Sequence, residues 1–175
     1  MTEGVPGRTL GVAIEIPAPF GPHLDEIRQR YAPGDVEMPA HVTILAPFDV
    51  DPDVMPAVVA HMEKVAEDSQ PFRLVLRGSG TFRPVSPVVF VTVADGISAC
   101  ERLERRVRSG DLGVESRFPY HPHVTIAHDL DEALLDQAFE DLADYRAAMD
   151  ITAMSLHENV GGEWRLLRAF PFAAR

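Results

Sequence analysis

The 175-residue sequence has little cysteine, few basic residues and no long apolar run. Cys100 is its only cysteine, so neither an intramolecular disulfide nor a cysteine-based zinc site can form. Lys and Arg number 16 against 27 Asp and Glu, which gives a net charge of −11. Extended nucleic acid is bound through clustered basic side chains, so this charge argues against binding to long RNA or DNA, while a small anionic ligand in a local pocket is still allowed. No apolar segment approaches the ~20 residues that span a bilayer, so we expect no membrane binding.

The length and composition predict one ordinary globular domain over residues 1–175. The chain is 46% hydrophobic, and a chain of this length buries about 70% of its unfolded surface, which is enough for a real core. Residues 1–7 lack the basic start and apolar centre of a secretory signal. We therefore expect a cytoplasmic protein. We also expect it to be a monomer.

The tetrapeptide His-Val-Thr-Ile occurs twice, at residues 41–44 and at residues 123–126. The two copies lie 82 positions apart, close to half of the chain length. This spacing predicts two similar structural halves, each presenting one histidine and one threonine. The β-branched Val-Thr-Ile run favours a strand, in which successive side chains point to opposite faces. His41 should therefore share a face with Thr43, and His123 with Thr125, while the Val and Ile side chains point into the core.

The rest of the chain alternates between strand-like and helix-like patterns, and no linker separates them. An α+β fold of two pseudo-equivalent lobes is therefore expected, with Cys100 as a small core side chain. The predicted strands cover residues 10–16, 41–45 (ending at Pro47), 73–77 (broken by the Gly-Ser-Gly at 78–80), 88–93, 123–128, 151–158 and 164–172, and the predicted helices cover residues 22–31, 51–68, 97–109 and 129–149.

Two histidines that face each other across a cleft suit acid–base chemistry at phosphorus. An unperturbed imidazole titrates near pH ~6.5, so one ring can take a proton from water while the other protonates a departing alkoxide. Thr43 and Thr125 place a hydroxyl donor beside each histidine, where a phosphoryl oxygen accumulates charge. The arrangement predicts hydrolysis of a phosphate diester with His41 and His123 as catalytic residues. It needs no covalent nucleophile, no obligatory metal and no cofactor.

These paired His-x-Thr-hydrophobic motifs, half a chain apart, resemble the signature of the two-histidine phosphoesterases, which include the 2′,5′ RNA ligase and cyclic nucleotide phosphodiesterase proteins. The resemblance covers residues 10–172. Its flanking features are Pro47 and Phe48 after the first motif, Tyr120, His121 and Pro122 before the second, Phe82 ahead of the 88–93 strand, and the closing hairpin at 156–172.

The resemblance implies a bilobal fold, with two antiparallel sheets flanking a central cleft and helices packed outside. It also implies hydrolysis of 2′,3′-cyclic phosphates or 2′–5′ linkages, with a small nucleotide or an RNA terminus as substrate. Many members of that family carry Arg or Lys five residues after the second motif histidine. This chain has His128 there, which predicts a weaker or pH-dependent phosphate contact.

Two further histidines are candidates for the same site. His121 has the strand parity of His123, so it either enters the site or supports it. His128 has the opposite parity and reaches the site only if the strand ends or bulges there.

Single aromatic and basic residues near the motifs are open to two interpretations. Phe48, Phe82 and Tyr120 could stack a nucleobase, or they could belong to the core. Arg83 and Arg117 could supply positive charge near the cleft, or they could lie on the surface.

An alternative function is a metal-binding protein that uses His41, His121, His123 and His128, because neutral imidazole is a common zinc ligand. No Asp or Glu stands beside the motifs, and metal binding does not explain the repeated threonines. A second alternative is an inactive relative that only binds nucleotides. The sequence leaves open which diester is the substrate and which histidine is the base.

Overall fold

The computed structural model describes residues 7–34, 38–112, 114–116 and 118–174. None of the helices in these ranges is long and apolar enough to cross a membrane. The described strands and helices, in chain order, are β1 (Arg8–Glu15), α1 (Phe20–Tyr31), β2 (His41–Val50), α2 (Met55–Glu67), β3 (Phe72–Thr81), β4 (Val88–Asp95), α3 (Ile97–Arg108), β5 (His123–His128), α4 (Glu132–Asp141), β6 (Arg146–Ile151), β7 (Ala153–Val160) and β8 (Glu163–Pro171).

The strands form two four-stranded antiparallel sheets, which confirms the α+β class and the two-lobed arrangement. The first sheet has the order β2-β1-β7-β8, and the second has the order β5-β4-β3-β6. The motif strands β2 and β5 are edge strands that contact each other at the centre. Helices α2 and α3 pack against the first sheet, and α1 and α4 pack against the second. The central cleft is therefore lined by the two sheets, with the helices outside.

The alternation predicted for the two motif strands is confirmed. Val42, Ile44, Val124 and Ile126 are at most 3% exposed and belong to the core. The histidine and threonine of each motif are half-buried on the opposite face. Burial of four β-branched side chains thus fixes the direction in which the catalytic candidates point, because a register slip of one residue would expose all four.

Each motif strand contains a β-bulge just after its threonine. Thr43 pairs with Ala13 and Leu45 with Val12, so Ile44 is the extra residue in β2. In β5, Thr125 pairs with Phe90 and Ala127 with Val89, so the extra residue is Ile126. The two lobes therefore repeat a local backbone irregularity as well as a sequence. A bulge of this kind reverses the alternation of the residues that follow it.

The predicted helix at 129–149 was wrong in its second half. Helix α4 ends at Asp141, and residues 146–151 form strand β6 instead. In β6 the buried positions alternate strictly with exposed ones, and Ala147 and Met149 face the core. The strand pairs with β3 over six residues. This long-range pairing overrides the helix propensity of the two alanines at 147 and 148.

Two predicted strand ends were also wrong. Strand β3 continues through the Gly-Ser-Gly segment to Thr81, and Gly78 takes a φ of 70° at a register shift. Strand β2 continues past Pro47 to Val50. Because β2 is an edge strand, a proline without an N–H is tolerated there.

Candidate active site

His41 and His123 are anchored in the same way. The Nδ1 of His41 lies 2.8 Å from the carbonyl oxygen of Pro39, and the Nδ1 of His123 lies 2.7 Å from that of His121. A carbonyl oxygen only accepts hydrogen bonds, so Nδ1 carries the hydrogen in each ring. The remaining nitrogen, Nε2, is therefore the one that can take or give a proton.

A direct contact ties the two motifs together. The hydroxyl of Tyr120, three residues before His123, donates a 2.8 Å hydrogen bond to the carbonyl oxygen of Thr43. The imidazoles of His41 and His123 are close enough for a charge on His123 to lower the pKa of His41. Thr43 and Thr125 lie on the same strand faces as His41 and His123, in the contacting strands β2 and β5.

Burial in the cleft lowers the pKa of both histidines. The pKa of His41 falls to about 4, mainly through desolvation and further through the charges of Arg28, His157 and His123, although the Pro39 carbonyl opposes the shift. Desolvation also lowers the pKa of His123, the nearby His121 adds to the effect, and the His121 carbonyl opposes it. Both rings are therefore neutral at pH 7 when the cleft is empty.

An aromatic cluster surrounds His123. The ring centroid of Phe82 lies 4.9 Å from that of His123, and the centroid of Phe90 lies 5.0 Å from it. The ring of His121 lies 5.9 Å from His123 and contacts both phenylalanines. His121 and Phe82 thus lie beside the catalytic candidate, and the apolar rings account for much of its desolvation.

The bulge at Ile126 places His128 on the face of His123 and Thr125. His128 pairs with Val88, and Thr125 pairs with Phe90. Val88 and Phe90 point to the same face of β4, so His128 and Thr125 share a face as well. The Nδ1 of His128 lies 3.0 Å from Oδ2 of Asp129. In an unbroken strand His128 would point to the opposite face from His123, but the extra residue reverses the alternation.

The other predicted site residues have different surroundings. Phe48 is 8% exposed, pairs with Leu10 and belongs to the hydrophobic core, so its ring is not available for stacking. Tyr120 packs partly against the core, and burial raises the pKa of its hydroxyl. Arg83 donates to Glu132 and Asp136. Arg117 lies outside the described residues.

Two residues near the first motif were missed in the sequence. Glu15 is the cross-strand partner of His41, and its Oε1 lies 3.3 Å from Nε2 of His157. His157 is 2% exposed. Burial lowers the pKa of His157, and the Glu15 carboxylate opposes that shift. Only the pairing of β1 with both β2 and β7 brings these residues together. No short-range pattern in the sequence indicates that they are neighbours.

The described part of the chain contains no group of three or more His, Cys, Asp or Glu side chains placed to hold a metal ion. The four histidines of the metal-binding alternative therefore do not assemble into such a group. Cys100 is fully buried, as expected for a core side chain, and burial raises the pKa of its thiol to about 12.

Comparison with known proteins finds relatives that cover most of the chain. A protein of Oceanobacillus iheyensis that bears the name putative phosphoesterase is 27% identical over 121 residues, 69% of this chain and 71% of that protein. A protein of Halalkalibacterium halodurans with the same description is 26% identical over 157 residues, 90% of this chain and 86% of that protein. The crystal structure of E. coli LigT with 3′-AMP has a TM-score of 0.71 at 19% identity, covering 97% of this chain and 100% of that one.

The profile of the 2′-5′ RNA ligase superfamily matches residues 16–163, which is most of the chain and includes both His-Val-Thr-Ile motifs. The chain therefore belongs to the 2′-5′ RNA ligase superfamily, as the resemblance to the two-histidine phosphoesterases implied.

Proposed function

We propose that this protein is a phosphodiesterase that hydrolyses 2′,3′-cyclic phosphates, or 2′–5′ linkages, of small nucleotides or RNA ends. The observation that carries the proposal is the matched pair of histidines on the contacting strands β2 and β5. Each has Nδ1 bonded to a backbone carbonyl and Nε2 left for chemistry. Two structural histidines would have no reason to share both the anchoring bond and the companion threonine.

The mechanism needs one neutral and one protonated imidazole. We assign His41 as the base, because its pKa of about 4 keeps Nε2 unprotonated at neutral pH. His41 takes a proton from water as the water oxygen attacks phosphorus. His123 then gives its proton to the 2′ oxygen, whose bond to phosphorus breaks. His123 acquires that proton when the anionic diester binds, since a nearby negative charge raises the pKa of an imidazole.

Thr43 and Thr125 complete the site as hydrogen-bond donors to the non-bridging phosphoryl oxygens. Such donors stabilise the charge that builds up on those oxygens in the transition state. His128, on the same face as Thr125, would add a further contact to the phosphate.

The substrate class is supported by charge and by structural relatives. A net charge of −11 disfavours a long phosphate backbone. Crystals of E. coli LigT contain 3′-AMP, ATP or phosphate. Those ligands belong to that protein, but they fit the small anionic substrate proposed for this cleft.

The test is hydrolysis of adenosine 2′,3′-cyclic phosphate by the purified chain, before and after EDTA treatment. Activity that persists in EDTA and disappears in His41→Ala and His123→Ala supports the proposal. Activity that EDTA removes and added zinc or manganese restores would favour the metal-binding alternative instead. A folded protein that binds the nucleotide but never turns it over would favour the inactive relative.

A further inference from the structure

The indole of Trp164 lies against Gly11. A Cβ placed on Gly11 would be 3.3 Å from Cζ3 and 3.4 Å from Cη2 of Trp164. Trp164 is in β8 and Gly11 is in β1, with β7 between them. The side chain therefore extends across β7, and the missing Cβ of Gly11 gives the ring its room.

This indole is on the face of the first sheet that carries the first motif. Glu15 is opposite His41, and Ala13 is opposite Thr43. Because side chains in a strand alternate with period two, position 11 faces the same way as positions 13 and 15. The ring against Gly11 thus shares the catalytic face.

The separation between the ring and the motif suits the parts of one nucleotide. Gly11 precedes Ala13 by two residues, or about 7 Å along β1, and the neighbouring strand β2 lies about 5 Å to the side. A phosphate held at Thr43 and an aromatic base over Gly11 would therefore be about one ribose apart. Nothing larger than a mononucleotide is needed to touch both.

The ring has an apolar neighbour that is open to solvent. Leu166 pairs with His157, which in turn pairs with Gly11, so Leu166 is on the same face. Leu166 is 53% exposed, and Trp164 is partly exposed. Together they form an apolar shelf, defined here as Trp164 and Leu166, beside the polar groups of the first motif.

We propose that this shelf binds the nucleobase of the substrate, with the base stacked on the indole of Trp164. The proposal rests on the phosphate site proposed above and extends it to the rest of the nucleotide. Every base has a flat π-face, so stacking accepts all four bases and fixes the ribose and phosphate in front of His41. Loss of one stacking contact lowers affinity by about 5- to 140-fold.

Intrinsic fluorescence tests the contact directly, because Trp164 is the only tryptophan in the chain. The chain is titrated with adenosine 3′-monophosphate, the product of the step proposed above, and in parallel with ribose 5-phosphate and inorganic phosphate, which have no base. Saturable quenching by the nucleotide alone is expected. If calorimetry shows that the nucleotide binds while the fluorescence stays constant, or that it does not bind at all, the proposal is wrong.

Substitutions give the second readout, with affinities for the same three ligands measured by calorimetry. Trp164→Ala should lose about 5- to 140-fold in affinity for the nucleotide and keep its affinity for inorganic phosphate, and Trp164→Phe should lose less. Arg165→Ala, the next residue along β8 and exposed, is the matched control and should bind like the wild type. Equal losses for nucleotide and phosphate in both tryptophan variants would mean that the ring only supports the sheet. These titrations need no turnover, so they remain decisive even if hydrolysis is absent.

Discussion

Glu15 in β1 is the direct cross-strand partner of His41 in β2. The Glu15 carboxylate contacts a buried histidine in a third strand, His157 in β7. The Nε2 of His157 lies 3.3 Å from Oε1 of Glu15, and His157 is 2% exposed. The charge of His157 is one of the causes that lower the pKa of His41. The proposed base is therefore tuned by a residue that lies 116 positions further along the chain.

Replacing His157 by Gln should move the acidic limb of the pH–rate profile. Removal of a positive charge near His41 raises the pKa of His41, so the limb of kcat/KM that reports the base shifts to higher pH. The alkaline limb should stay in place, because His123 is not shifted by His157. Initial rates on adenosine 2′,3′-cyclic phosphate from pH 3.5 to 9 measure both limbs. A limb that does not move would mean that His157 serves only to hold Glu15.

The stability of the fold should fall in mild acid because of His41. Its pKa is about 4 in the folded chain, below the ~6.5 of an exposed imidazole, so the unfolded state binds the proton first. The free energy of unfolding therefore decreases as the pH falls from about 6.5 towards 4, and the loss is complete below that range. Allowing for solvent in a half-buried site, we expect about 2 kcal/mol from this residue.

The control for this stability effect is His41→Gln, which cannot gain a proton. Denaturant unfolding at pH 7 and at pH 4.5 should show a smaller difference for His41→Gln than for the wild type. Identical differences for the two proteins would show that His41 is solvated in the folded chain. Other groups, including His123 and His157, contribute to the total change and are common to both proteins.

The repeated tetrapeptide was enough to predict much of this fold from the sequence. Val42 is buried in the first motif strand and Val124 in the second, and this local alternation is enough to orient His41 and His123. The bulges at Ile44 and Ile126 could not be predicted from the sequence, because they depend on how β1 and β4 pair with the motif strands. The position of His128 followed from the second bulge and could be stated in advance only as a condition.

Long-range pairing explains what the sequence did not reveal. Residues 146–151 look helical in isolation and become a strand only beside β3. Glu15 and His157 have no shared sequence pattern, yet the pairing of β1 with β7 puts them on one face of the first sheet, where their side chains meet. The apolar shelf has the same origin, since Trp164 reaches Gly11 across a strand between them.

The two threonines should contribute modestly and similarly. Thr43→Val and Thr125→Val each remove one hydroxyl donor and keep the β-branched shape that the strand needs. A hydrogen bond to a charged acceptor is worth about 1.5–3 kcal/mol, so kcat should fall by about 10- to 150-fold in each variant. Unchanged melting temperatures are expected, because both side chains face the cleft. A loss confined to KM would mean that the hydroxyls bind the ground state and the transition state equally well.

The assignment of base and acid predicts different rescue of the two histidine variants. His41→Ala and His123→Ala should each lose about 10²–10⁴ in kcat on adenosine 2′,3′-cyclic phosphate, with the double variant little worse than either, since both residues serve one transition state. A diester with a p-nitrophenolate leaving group needs no proton on the departing oxygen. On that substrate His123→Ala should recover most of its rate and His41→Ala should not. The reverse pattern would exchange the two roles while leaving the site intact, and full activity of both variants on both substrates would show that the motif histidines do no chemistry.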